Sequence, residues 1–186
     1  MKLLRSPSTS GRGDDVEHRA GLFAARRWVR WTQNRFWLLV PVLALDLALT
    51  GRLPEPLAAG SIGAGIPDWL GVIETALRVV VVGTPLLMPL SLRTAGARTA
   101  LVIYVGGLAG YIAAWIAVIW APASTWSTSV VGFTAPAWTS ILFLAGIGWG
   151  SSVRCLRGYR PWMYLAVAAL FTVAHTISVT MAWSRL

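Results

Sequence analysis

The chain has 186 residues, of which sixteen are basic and seven acidic, for a net charge of +9. Only 12% of the residues are charged, 56% are hydrophobic, and the mean hydropathy is +0.64, which excludes an ordinary soluble domain. A nucleic-acid binder of this basicity would gather its Lys and Arg on a polar face, so the composition points instead to an all-α, polytopic integral membrane protein.

The first seventeen residues are rich in Ser, Gly and charge, with little to bury, and are expected to form a disordered cytoplasmic tail. Arg12-Gly13-Asp14 matches a cell-adhesion tripeptide there, a pattern short enough to recur by chance. Residues 18–35 mix Leu22, Phe23, Trp28, Val29 and Trp31 with five Arg. That suits a basic helix lying in the headgroup layer, where Trp favours the interface and Arg meets anionic lipid. A plain basic flank to the first span explains it equally well.

Five transmembrane helices are predicted within 36–184, at about 36–53, 69–92, 100–120, 131–151 and 161–183. Thr99 to Val153 carries no charge over 55 residues. One crossing needs only about 20 residues, so this run must fold back on itself. The break is read at Ala121 to Ser129, where Pro122 and a run of Ser and Thr interrupt apolar sequence. The first two spans are apolar but carry Asp46, Glu74 and Arg78. Residues 53–67 read as a Gly-, Ala- and Pro-rich loop, with a re-entrant element as the alternative.

Basic residues concentrate before the first span and in the loops at 93–99 and 152–160, so the positive-inside rule puts the amino terminus inside and the carboxyl terminus outside. No cleavable signal is evident. Fifteen Arg against one Lys suggests a GC-rich bacterial genome, and hence a multi-pass protein of a bacterial plasma (inner) membrane. The lone Cys155 excludes an intramolecular disulfide. With no HExxH, nucleophile elbow or His/Cys cluster, no metal or cofactor is implied.

Ionisable groups at membrane depth are costly and usually tied to function or to partners. Counted from the span ends at 1.5 Å per residue, Asp46 lies about 16 Å in from the inner edge, and Arg78 about 14 Å and His175 about 12 Å in from the outer edge. Glu74 precedes Arg78 by one turn. Asp46, Glu74, Arg78 and His175 therefore share a layer with Tyr111, Trp115, Trp138, Thr139 and Thr176. The expectation is an outer-half cavity with Asp46, Glu74 and His175 as candidate acid–base groups. Arg78, Tyr111, Trp115, Trp138, Thr139 and Thr176 are its candidate ligand-binding groups. The competing reading is a structural ion pair of Asp46 with Arg78, with Glu74 as second acceptor.

Pro41, Pro85, Pro89 and Pro136 are expected to kink helices. Gly106 and Gly110 form a GxxxG, and Gly146, Gly148 and Gly150 a small-residue face, read mainly as internal packing and alternatively as a contact with another protomer or membrane protein. Three functional classes remain open. The chain could bind a lipid-like, isoprenoid or aromatic molecule in the cavity. It could be a small membrane enzyme using a buried carboxylic acid on a hydrophobic substrate, as a cyclase or isomerase would. It could be an accessory subunit of a membrane complex. The bilayer itself is the one certain partner of such a chain, and nucleic acid is not expected.

Overall fold

The computed structural model describes residues 33–52, 65–91, 94–153 and 157–185. The tail at 1–17, all of the basic segment at 18–35 except its last three residues, and most of the loop at 53–67 lie outside them. All regular structure among the described residues is helical. Helix α1 is Val40–Leu49, led by a 3-10 turn at Arg35–Leu38 and followed by another at Thr50–Arg52. Then come α2 (Asp68–Leu87), α3 (Ala95–Trp120), the single turns α4 (Thr125–Thr128) and α5 (Val130–Phe133), α6 (Ala135–Gly148) and α7 (Pro161–Trp183). Three of these, α2, α3 and α7, are long and apolar enough to cross a membrane, while α6 is apolar but shorter.

The boundaries follow local chemistry. The Asn34 side chain accepts from the Phe36 N–H and opens the first turn, and the Thr94 hydroxyl caps α3 at Ala97, starting that helix before the expected residue 100. The break expected at 121–129 holds one helical turn, α4, and a second, α5, takes up the start of the span expected at 131–151, because Ser124 caps α4 and Ser129 caps α5, each accepting from the residue three positions on. Of the four prolines expected to kink helices, only Pro85 lies past the first turn of one, in the last turn of α2. Pro136 occupies the first turn of α6 and Pro41 the second position of α1, where no intrahelical N–H is lost, and Pro89 lies beyond the end of α2, bridged to Asn34.

Successive long elements run in opposite directions. Arg35 donates its backbone N–H to the Met88 carbonyl just past α2 (2.9 Å). Its buried guanidinium donates to carbonyls at the end of α6: Ile147, Trp149 (2.9 Å) and Gly150 (3.4 Å). Those are the carbonyls a helix leaves unsatisfied at its C-terminus, and the arginine fork suits them better than a lysine would. At the other end of the bundle, the Trp183 indole donates to the Thr128 carbonyl (3.1 Å) and the Ser127 hydroxyl to that of Ala117 (2.9 Å).

The core lies where α6 packs between α3 and α7. Nearly every residue of α6 from Ala135 to Gly148 on its inner faces is buried, and Tyr104, Tyr111, Phe143, Leu144, Ile147 and Tyr164 form the centre. Backbones touch at the α3–α6 crossing. A Cβ on Gly107 would stand 2.4 Å from the Phe143 nitrogen, and one on Gly146 would stand 2.4 Å from the Tyr104 nitrogen. Gly148 is similarly closed by the Tyr164 ring. Gly146 and Gly148 both pack closely, but against α3 and α7 respectively, and Gly150 lies beyond the end of α6 at a positive φ, so the three do not form the one small-residue face expected. The GxxxG glycines do not pack: Gly106 and Gly110 face open space, and their neighbour Gly107 makes the contact. The motif has the correct spacing but lies about 100° away from the packed face.

From this core, tyrosine hydroxyls reach the peripheral elements. Tyr104 donates to the Leu38 carbonyl (2.6 Å) and Tyr164 to the Val81 carbonyl on α2 (3.2 Å). The glycine geometry predicts that Gly107→Ala and Gly146→Ala, whose new carbon meets backbone, each destabilise the protein by about 1–3 kcal/mol in thermal unfolding. Gly106→Ala and Gly110→Ala, whose new carbon meets open space, should be neutral or stabilise by up to about 1 kcal/mol. Equal losses at all four positions would contradict the crossing.

Candidate functional site

Elements α1, α2, α3, α6 and α7 enclose a cavity of about 500 Å³, a common size for small-molecule sites. Most of its lining is aliphatic or aromatic: Leu39 and Val42 from α1, Val81 and Val82 from α2, Phe143 and Leu144 from α6. Leu43 on α1 and Arg78 on α2 line it and are also exposed on the outside of the bundle, so it opens between these two helices. Against this apolar wall stand Asp46, Glu74, Arg78, Tyr111 and His175, brought together from α1, α2, α3 and α7.

The polar groups form two units. The Tyr111 hydroxyl donates to Asp46 Oδ1 at 2.6 Å, tying α3 to α1. The Tyr111 ring is held edge-on by Phe143 and Trp115, with centroids 5.3 and 6.3 Å away. In the second unit Glu74 Oε1 accepts from Arg78 Nη2 (2.5 Å), one turn along α2, and meets His175 Nδ1 of α7 at 3.1 Å. The His175 ring stacks parallel on Phe171 (5.5 Å, 6°), and the Arg78 guanidinium carbon lies 5.9 Å from the same ring. Glu74 is nearly enclosed, at 13% side-chain exposure, whereas Arg78 is half exposed at 52%. The carboxylate is thus the inner anchor, and the guanidinium stands at the opening.

This arrangement supplies a carboxyl group between the Arg78 guanidinium and the His175 ring nitrogen, a short phenol–carboxyl bond and a cation at the mouth. Arg78 spends Nη2 on Glu74, and the exposed part of its fork can bind a carboxylate or phosphate oxygen. His175 can donate or accept according to its tautomer. Among the described residues, no three His, Cys, Asp or Glu side chains come together as a metal centre requires.

Three candidate residues lie elsewhere. Trp138 stands on the exposed face of α6, with its indole N–H donating to the Val131 carbonyl (3.1 Å). Thr139 is buried, and its hydroxyl turns back to the Ala135 carbonyl (2.6 Å). Thr176 follows His175 around α7 and does not reach the cavity. Counting depth along a helix does not say which way a side chain faces.

Sequence reasoning passed over Phe171, Ser140, Phe143 and Phe133, which all line the cavity. For Phe171 a signal existed. Counting by helical turns from the ionisable residues gives Leu39, Val42 and Leu43 before Asp46, Val81 and Val82 after Glu74 and Arg78, and Phe171, Ser178 and Val179 around His175. The residues of α6 had no charged neighbour to count from.

Compared with known proteins, the chain matches no family model, and no curated protein or solved structure is similar to it. The functional reading therefore rests on the cavity.

Proposed function

We propose that this protein crosses a bacterial inner membrane five times, amino terminus inside, and that its outer-half cavity binds a lipid-like, isoprenoid or aromatic amphiphile. The observation that carries this reading is the gathering of Asp46, Glu74, Arg78, Tyr111 and His175 on one otherwise apolar cavity. Ionisable side chains at membrane depth are expensive. Five in one place, beside an aromatic and aliphatic wall, match a ligand with a polar head and an apolar body. The head meets Arg78, and the body lies along Val42, Val81, Phe143 and Phe171.

The topology draws support from the alternating directions of the elements. Arg35, Arg98, Arg157 and Arg160 all fall at the end where the α1 turn begins and α6 ends, whereas Arg52, Asp68 and Arg185 fall at the other. Cytoplasmic ends retain Arg and Lys. Of the two elements shorter than a full span, α1 is extended by its flanking 3-10 turns and α6 by the turns of α4 and α5. A second reading, a membrane enzyme that uses a buried carboxylic acid, is favoured by the Tyr111–Asp46 bond beside the cavity.

Gently purified protein is expected to retain a small molecule in native mass spectrometry. Arg78→Ala should weaken that retention on the order of tenfold or more, the worth of one charge-assisted hydrogen bond. A parent protein that carries nothing and binds no added amphiphile would contradict the reading. Orientation has its own reporter in the lone Cys155. A membrane-impermeant maleimide should leave it unlabelled in spheroplasts and label it in inverted vesicles, and the opposite pattern would reverse the topology.

A further inference from the structure

A second cavity, of about 460 Å³, lies at the Trp183 end of the bundle. Its rim carries Ser127, Thr128 and Ser184, and Thr128, Pro122 and Ser184 are exposed, so it faces out of the end of the bundle. Both cavities are lined by Phe133. On α3 the lining passes from Trp115 in the central cavity to Val118 in the terminal one, and on α7 from Val179 to Trp183, about one turn in each case. The two spaces are therefore stacked along the bundle axis with the Phe133 ring between them.

We infer that Phe133 is a fixed partition that makes the central cavity selective for ligands arriving from the lipid phase. The inference rests on the proposed ligand cavity and deepens it by naming the ligand's source: a membrane-partitioned amphiphile, not a water-borne solute. With the axial route closed, the opening between α1 and α2, beside Leu43 and Arg78, is the way in.

The partition is built to stay in place. Phe133 is 3% exposed and packs among Trp115, Val179, Ala182 and Trp183. Its backbone is held on both sides. Ser129 Oγ accepts from the Gly132 N–H (3.1 Å), and the Thr134 hydroxyl donates to the Val130 carbonyl (2.7 Å). A Cβ at Gly132 would lie 1.9 Å from the Trp126 carbonyl oxygen, so the turn is already in backbone contact and has no room to swing. The Trp183 indole, tied to the Thr128 carbonyl, braces the far side of the ring. An apolar ring closed in this way excludes water and charged solutes while leaving the lateral opening free.

The test uses the full-length protein in nanodiscs, with Cys155→Ser and a reporter cysteine at Ser140, which lines the central cavity. In this background, N-ethylmaleimide, which partitions into lipid, is expected to label the reporter, and the charged thiosulfonate MTSES is not. Adding Phe133→Ala should raise the MTSES labelling rate at least tenfold and leave the N-ethylmaleimide rate nearly unchanged, which also reports that the fold is intact. The milder Phe133→Leu should give an intermediate MTSES rate and covers the case in which the alanine variant unfolds. Rapid MTSES labelling with Phe133 in place, or no gain in either folded variant, overturns the partition. If N-ethylmaleimide also fails with Phe133 in place, the central cavity itself is at fault, and the proposed function falls with it.

Discussion

Everything in this bundle depends on how closely α3 and α6 approach. Inside a bilayer, burying apolar surface gives little reason for two helices to associate, since lipid tails are as apolar as Leu. Close packing and interhelical hydrogen bonds must hold them instead. Gly107 and Gly146 let the two backbones touch at reciprocal points, Gly107 against Phe143 and Gly146 against Tyr104. The contact fixes the height of Tyr104 and Tyr111 on α3, and of Ser140, Phe143 and Leu144 on α6. Those residues are the floor on which the peripheral helices sit.

The peripheral helices are attached differently. Helix α1 is held by hydroxyls reaching out from α3, Tyr104 to the Leu38 carbonyl and Tyr111 to Asp46. Helix α2 is held by α7, through Tyr164 to the Val81 carbonyl and His175 to Glu74. At one end the turn that leads into α1 meets the end of α2, by Arg35 with Met88 and Asn34 with Pro89. The cavity is the space left between two helices tethered to opposite sides of the same core. Asp46 and Glu74 thus serve both as tethers and as the polar wall of the cavity, but the expected ion pair of Asp46 with Arg78 is replaced: Arg78 pairs with Glu74, and Asp46 accepts from Tyr111.

Much of this arrangement was legible in the sequence, and the reasons are physical. An apolar run broken by Pro and Ser reads as several helices, and counting residues from their ends brings together Asp46, Glu74, Arg78, Tyr111, Trp115 and His175, which line one cavity. What depth cannot give is rotation. Trp138 and Thr139, placed at that depth by the same count, lie outside the cavity, and the conspicuous Gly106 and Gly110 point outward while their neighbour Gly107 packs. Arg35 reads as one more basic flank residue. Nothing local announces that its guanidinium closes the end of a helix more than a hundred residues later.

Ionisable residues far apart in the sequence meet on one cavity and hold its walls together. A double-mutant cycle on Glu74 and His175 tests it most directly, because the two lie on different helices, 101 residues apart, and touch only if the cavity is assembled as described. Thermal unfolding of Glu74→Ala, His175→Ala and the double variant, in one detergent, should give a coupling of about 0.5–3 kcal/mol, the range for residues in contact. Strict additivity, with both single variants folded, would contradict the account.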